Sequence, residues 1–375
     1  MDKILSPGGH LWNNERMRGM KNLIAGISAA ALSALTPFAA SAHEVYVLNS
    51  NQISQAVDSS SFNLLDVISR NLGRFEFWAL IGIILVFCIF FISTSRYLER
   101  KLDPFLEKIR KYGPFIARFT IGISFIACAY YGATFGPELP LSSTFGVFSG
   151  LLVWVFLILG ALSILGLYAR PAAFAALVIF ICTIASHGAY MLTYANYLGE
   201  IIVLLILGAH SLSLDSYIAK RRELSGKTRP APYRGRLSQL REYLAPRSFS
   251  ILRVLFGVAL IFASAYAKII HNNLALFTVE QYHLDKLLGF EAHFLVLGAA
   301  IVEILIGLFF ILGFEIRFTA FFLLFWLTVS LIFFGEIVWP HLILIGIPIA
   351  YIFYGYDKYS LEMRLAGKKG YQPVL

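Results

Sequence analysis

The chain has 375 residues, of which 58% are hydrophobic and 14% charged, and its formal net charge is +9. Soluble domains carry roughly 25% charged residues, so this balance, with a mean hydropathy of +0.72, excludes an ordinary water-soluble globule. The positive charge sits in loops between apolar runs, where lipid head groups account for it, and it excludes nucleic acid as the expected partner.

Apolar runs of about 18 residues or more recur, the length that crosses a hydrocarbon core of about 30 Å. They are continuous rather than alternating, which selects helices over a barrel. The three cysteines, Cys88, Cys128 and Cys182, fall in separate predicted helices with no C-x-x-C pair. A disulfide framework or dithiol relay is therefore not expected.

Residues 1–42 read as a secretory signal. Arg18 and Lys21 flank a short apolar core, Pro37 breaks it, and Ala40-Ser41-Ala42 fits the small-x-small cleavage rule. Met17 and Met20 lie nearer the signal than Met1 does. Cleavage after Ala42 leaves His43 as the first residue, whose α-amine and imidazole form a chelate suited to copper(II). Residues 43–75 form a short extracytoplasmic segment, extended over His43–Leu48 and helical after Ser59–Ser61.

Nine spans are predicted in the mature chain, over 77–94, 114–133, 146–167, 171–191, 194–212, 249–268, 292–313, 318–334 and 338–356. The loops orient them. Thr94–Gly113 carries six Lys/Arg against three acids, Ser213–Arg247 nine against three, and the tail from Asp357 four against two. The N-terminus is therefore expected outside and the C-terminus in the cytoplasm of a bacterial-type inner membrane. Within 76–113, the first span is followed by Leu98, Leu102, Phe105, Ile109 and Tyr112 at helical spacing between charges, which predicts a second helix lying in the interface. Residues 225–247 form a basic linker.

The sequence echoes itself. Ile164, Leu165, Gly166, Arg170, Ala173, Phe174 and Leu177 match Ile311, Leu312, Gly313, Arg317, Ala320, Phe321 and Leu324 at one constant offset. Arg118, Gly122 and Tyr131 match Arg253, Gly257 and Tyr266 at another, and Asp215 and Tyr217 match Asp357 and Tyr359. The fold class expected is an all-α integral membrane protein, with one leading helix and two four-helix repeats, 114–224 and 248–360, before a tail at 361–375. An even number of helices per repeat makes the repeats parallel.

The R-x-x-x-G opening, the run Glu303, Ile304, Gly307, Gly313 and Arg317, and the closing Ser213-Leu214-Asp215 resemble the DoxX family of four-helix membrane proteins. The resemblance covers roughly 114–217 and 249–359. The second half matches better, because Phe156 stands where Glu303 stands. It implies an inner-membrane protein tied to redox physiology; one branch of the family is part of a thiosulfate:quinone oxidoreductase.

Several polar residues are candidates for chemistry. Glu303 falls near the bilayer middle, where a charge costs about 2.5–3.5 kcal/mol on insertion scales. It is expected to face the bundle and pair with Arg253, with Arg118 the matching arginine of the first half. Such a pair either fixes helix register or handles protons or a quinone. His187 and Glu200 flank the turn near Thr193 and are expected at one depth, where a carboxylate orients an imidazole. Glu336 and His341 flank the corresponding later turn. The mature histidines other than His210 all fall on the outer face, without metal-ligand spacing. No phosphate loop, nucleophile elbow or zinc-protease motif occurs.

Three functions fit. One is a redox-linked accessory or quinone-associated subunit working with a membrane or periplasmic redox protein. Another is an extracytoplasmic copper-handling protein using His43. The third is a small-solute carrier with a path near Glu303.

Overall fold

The computed structural model describes residues 47–209, 212–224, 236–335 and 338–366. Among these residues the regular elements are helices, and extended pairing amounts to one bridge, Ala133 with Pro140. Seven helices are long and apolar enough to cross a membrane. The chain is thus an all-helical, multi-pass membrane protein.

In chain order the helices are α1 (Ser50–Asp58), α2 (Leu64–Asn71), α3 (Phe75–Ile109), α4 (Gly113–Tyr131), α5 (Leu141–Phe145), α6 (Ser149–Leu165), α7 (Ala169–His187) and α8 (Ala195–Leu207). There follow α9 (Leu214–Leu224), α10 (Arg236–Leu244), α11 (Ser248–Ala265), α12 (Asn272–Gln281), α13 (Leu284–Leu288), α14 (Ala292–Leu312), α15 (Ile316–Phe334), α16 (Pro340–Tyr354) and α17 (Leu361–Ala366). The signal region and His43 lie outside the described residues, as do His210 and Glu336.

The expected count of nine spans is not met by length. The helices α8 and α16 have 13 and 15 residues, short of the about 20 that a span needs. The helix α8 closes a 39-residue apolar stretch, Ala169–Leu207, after a tight 3₁₀ run at Gly188–Tyr194. Both short helices bury most of their residues against protein. They have little need of a full apolar sheath toward lipid.

Four helices form the centre. The helix α4 packs on α16, and α8 packs on α11, while α6, α7, α14 and α15 cover them from outside. Close approach depends on glycine. A Cβ on Gly122 would stand 3.1 Å from the Gly160 carbonyl oxygen, and one on Gly160 only 2.7 Å from the Gly122 carbonyl oxygen, where α4 crosses α6. A second crossing joins α11 to α14. There a Cβ on Gly307 would stand 2.9 Å from the Gly257 carbonyl oxygen. Small residues of this kind let backbones meet in a membrane, where apolar lipid offers no hydrophobic drive for helices to associate.

One face of the bundle carries α1, α2, α12 and α13 and is called the cap face here; the opposite, basic face carries α9 and α10. On the cap face Asn49 and Gln52 close a capping box on α1. The Asn272 amide donates to the Phe62 carbonyl at 2.7 Å and accepts from the Phe62 N–H at 3.1 Å, tying the segment before α2 to α12. The sequence predicted one helix in residues 43–75; two are present.

The first span and the expected interfacial helix are one continuous helix, α3, of 35 residues. Ser93 and Thr94 donate their hydroxyls back to the carbonyls of Ile89 and Phe90, so neither polar residue breaks it. Glu, Lys, Arg and Leu then carry the helix onward.

On the basic face two buried arginines gather loop carbonyls. Arg118 donates to the carbonyls of Ala209 and Leu212, the latter at 2.7 Å. Arg253 donates to those of Phe310 and Ile311, at 2.5 and 2.7 Å. A glycine lies against each guanidinium, Gly166 at φ 65° and Gly313 at φ 68°. Both φ values are left-handed, and a Cβ would strike the arginine, so glycine alone fits.

Candidate functional site

The expected Glu303–Arg253 pair is not formed. Arg253 is taken by Asp357, at 3.4 Å, with both side chains essentially buried. Glu303 instead meets Lys268, Nζ to Oε2, at 3.0 Å. The cause is local backbone. After α11 the chain enters a π-turn at Tyr266–Ile270. Such turns take up an extra residue and re-aim side chains, often at functional sites. Lys268 is buried among its neighbours at 9% exposure and is aimed at α14.

On α14 the exposed stripe is Ile301, Leu305, Leu308 and Leu312. Glu303 lies on the opposite side of the helix, with Ala300, Ile306, Gly307 and Phe310, all of which are buried. The Glu303 side chain nevertheless keeps 24% of its surface open, and that of Lys268 11%. The pair is thus on the bundle side of α14 and still partly accessible. At the positions that match by offset, the first half has Phe156 and Ala133, 0% and 3% exposed. Phe156 there packs on Phe125 and Phe135, ring centroids 5.8 and 6.2 Å away.

A second polar group lies in the centre, between α4 and α8. Glu200 is 1% exposed. Its Oε1 lies 3.1 Å from the Thr120 hydroxyl, and its Oε2 has no hydrogen-bond partner. Nearby, the hydroxyls of Ser124 and Tyr197 share a hydrogen bond of 2.7 Å. The Tyr351 hydroxyl, from α16, donates to the Phe249 carbonyl at 2.5 Å.

His187 and Glu200 are therefore not brought together. His187 bonds the Thr144 hydroxyl at 3.0 Å through Nε2, at the end of α7. A 3₁₀ run, Gly188–Tyr194, separates α7 from α8 between the two residues. His341 is 5% exposed on α16. Its supposed partner Glu336 lies outside the described residues.

Near the cap face, Glu138 accepts hydrogen bonds from Tyr190, at 2.7 Å, and from Tyr194. Tyr190 packs edge-on against Tyr266, centroids 5.6 Å apart, and Tyr266 lies 4.7 Å from the His271 ring. Burial lowers the His271 pKa from its ordinary value of 6.5. Among the described residues no three His, Cys, Asp or Glu are grouped to hold a metal ion.

Sequence reasoning missed Lys268, Asp357, Glu138 and the hydroxyls around Glu200 as site residues. Two signals were present. Lys268 is the one cation between Val254 and Ile270, an apolar stretch. Arg253 and Asp357 both belong to matched pairs, which foreshadowed their meeting. Comparison with known proteins adds nothing to these geometries: no family model, no curated protein and no solved structure matches the chain.

Proposed function

We propose that this is an inner-membrane protein of DoxX-like architecture, a leading helix followed by two parallel four-helix repeats, acting as a quinone-associated accessory of a redox system. In this reading the cap face is extracytoplasmic and the basic face cytoplasmic. The repeats are supported by matched contacts: Gly122 on Gly160 and Gly257 on Gly307, and Arg118 beside Gly166 and Arg253 beside Gly313. Two further arginines also match, with Arg170 reaching the Leu207 carbonyl and Arg317 the Ile352 carbonyl, at 3.3 and 3.1 Å.

The observation that carries the function is the partly accessible Lys268–Glu303 pair. Replacing an interior ion pair by well-packed apolar residues is often neutral or stabilising, and the first half holds that apolar solution at Phe156 and Ala133. The second half thus keeps charge where the first half manages without it, which favours a binding role. A quinone head group fits the chemistry. It is flat, carries an acceptor oxygen at each end, takes up protons when reduced, and arrives from lipid. The Lys268 ammonium would donate to one carbonyl oxygen. Glu303 would accept from the hydroxyl of the quinol form, while the tail lies along the bilayer.

Solvent extraction of the detergent-purified protein tests this. Wild type should carry quinone, and Glu303→Gln and Lys268→Met should lose it. Quinone-free wild type that also takes up none on addition would overturn the reading. The copper alternative rests on His43, outside the described residues. In the carrier alternative Glu303 contacts a solute, and vesicle uptake sensitive to Glu303→Gln would favour it.

A further inference from the structure

We infer that Glu200 is a proton-binding site, a carboxylic acid held in the seam between the two halves, with the hydroxyls of Thr120, Ser124 and Tyr197 between it and the cap face.

The hydrogen-bond inventory supports the protonated form. The Thr120 hydroxyl has one hydrogen and three acceptors in reach: the Ile116 and Ala117 carbonyls, at 3.0 and 3.1 Å, and Glu200 Oε1. If Thr120 donates to its own helix, as helical threonines do, the contact to Glu200 is satisfied only when the carboxyl supplies the hydrogen. The other carboxyl oxygen has no donor. One turn earlier on the same face of α8, Asn196 is 3% exposed and its Oδ1 also lacks a donor. Buried acceptors without partners are rare and call for an occupant. A proton on the carboxyl supplies the hydrogen that the Thr120 contact needs and removes a charge that burial penalises.

The position is not dictated by packing. By the same offsets, Thr120, Ser124, Asn196, Tyr197 and Glu200 correspond to Leu255, Ala259, Ile343, Leu344 and Ile347. Ile343 and Ile347 are 0% exposed and Leu344 6%. The second half closes this seam with hydrocarbon, while the first half lines it with hydroxyls, an amide and an acid. The polarity is reversed relative to the Lys268–Glu303 pair, so the two sites are separate.

Charged and titratable groups come from several of the packed elements. From α11 comes Arg253, paired with Asp357 at 3.4 Å on the basic side. From α16 come Tyr351 and Tyr354, and from α8 itself Tyr197. On α4 the arginine of the preceding turn, Arg118, is turned away toward the Ala209 and Leu212 carbonyls. Toward the cap face, Tyr197 bonds Ser124, and its ring lies 5.9 Å from that of Tyr194. The Tyr194 hydroxyl in turn donates to Glu138. Between Glu200 and Glu138 the hydrogen-bonded steps are Thr120 to Glu200, Ser124 to Tyr197 and Tyr194 to Glu138, and a proton passing from one to the next would rely on rotation of the Ser124 and Tyr197 hydroxyls.

Infrared spectroscopy of the detergent-purified full chain tests this. Wild type should show the C=O stretch of a neutral carboxylic acid near neutral pH. That band should vanish in Glu200→Gln and move in Glu200→Asp, which keeps the acid should the amide misfold. Transfer to D₂O should shift the band, and Ser124→Ala and Tyr197→Phe should slow the shift. Glu303→Gln should leave the Glu200 band in place, so loss of quinone and loss of this proton are read separately. No neutral-acid band sensitive to position 200, or a band that D₂O leaves unmoved, overturns the inference.

Discussion

Arg253 and Asp357 meet at 3.4 Å with 3% and 1% of their side chains exposed, and they lock α11 to the segment that follows α16. Removing one partner of a buried pair leaves an uncompensated charge and costs about 3–5 kcal/mol. Asp357→Ala should lower the unfolding temperature of the purified protein sharply. Arg253→Lys should also be costly, since one ammonium cannot reach the Phe310 and Ile311 carbonyls and Asp357 together.

Glycine positions should divide by what a methyl group would meet. At Gly160 a Cβ would fall 2.7 Å from the Gly122 carbonyl oxygen. Gly160→Ala should destabilise by about 1–3 kcal/mol, the usual cost of overpacking. Gly82, in α3, has nothing within 4 Å of its Cβ position, so Gly82→Ala should cost nothing. Thermal unfolding of the two variants side by side checks the contrast.

The double substitution Lys268→Ala with Glu303→Phe copies the arrangement at Ala133 and Phe156 into the second half. It should leave stability unchanged or raise it by about 1–4 kcal/mol, while removing extractable quinone. A large fall in stability would show that the ion pair is a structural requirement.

His271 gives a pH dependence. Burial holds its folded-state pKa below 6.5, so near and below that pH the unfolded chain binds more protons than the folded one. Stability is then level above about pH 6.5 and declines as pH falls from the unfolded pKa toward the folded one. His271→Gln should flatten this part of the profile, read as unfolding temperature between about pH 7 and pH 5.

The helical, multi-pass character and the glycine–arginine turns were legible in the sequence because lipid imposes length and small residues directly on composition, whereas the count of nine was not, since α8 and α16 are short. Partners were not. Pairing Glu303 with Arg253 assumed that an arginine entering a helix reaches inward, whereas Arg253 folds back on carbonyls and Asp357. Lys268 was passed over because a π-turn leaves no mark on hydropathy. His187 and Glu200 were not legible as separate groups, because counting residues from Thr193 does not show that the Thr144 and Thr120 hydroxyls stand nearer to them. Buried hydroxyls such as Ser124 and Tyr197 are invisible to periodicity, which separates apolar from polar faces but not the chemistry within a buried face.

The unbroken α3 has a mechanical consequence. At 1.5 Å per residue its 35 residues run about 50 Å, well beyond the about 30 Å of hydrocarbon. It touches the bundle lightly, for example where Phe87 lies 5.9 Å from Phe322. Its far end is anchored where Arg110 donates to the Tyr356 carbonyl at 2.9 Å and sits over the Tyr354 ring. The other end is held too, where Phe77 lies 6.0 Å from Phe294 and Arg74 approaches Glu291 at 4.0 Å. With both ends held, the helix length in excess of the hydrocarbon must emerge into the head-group layers.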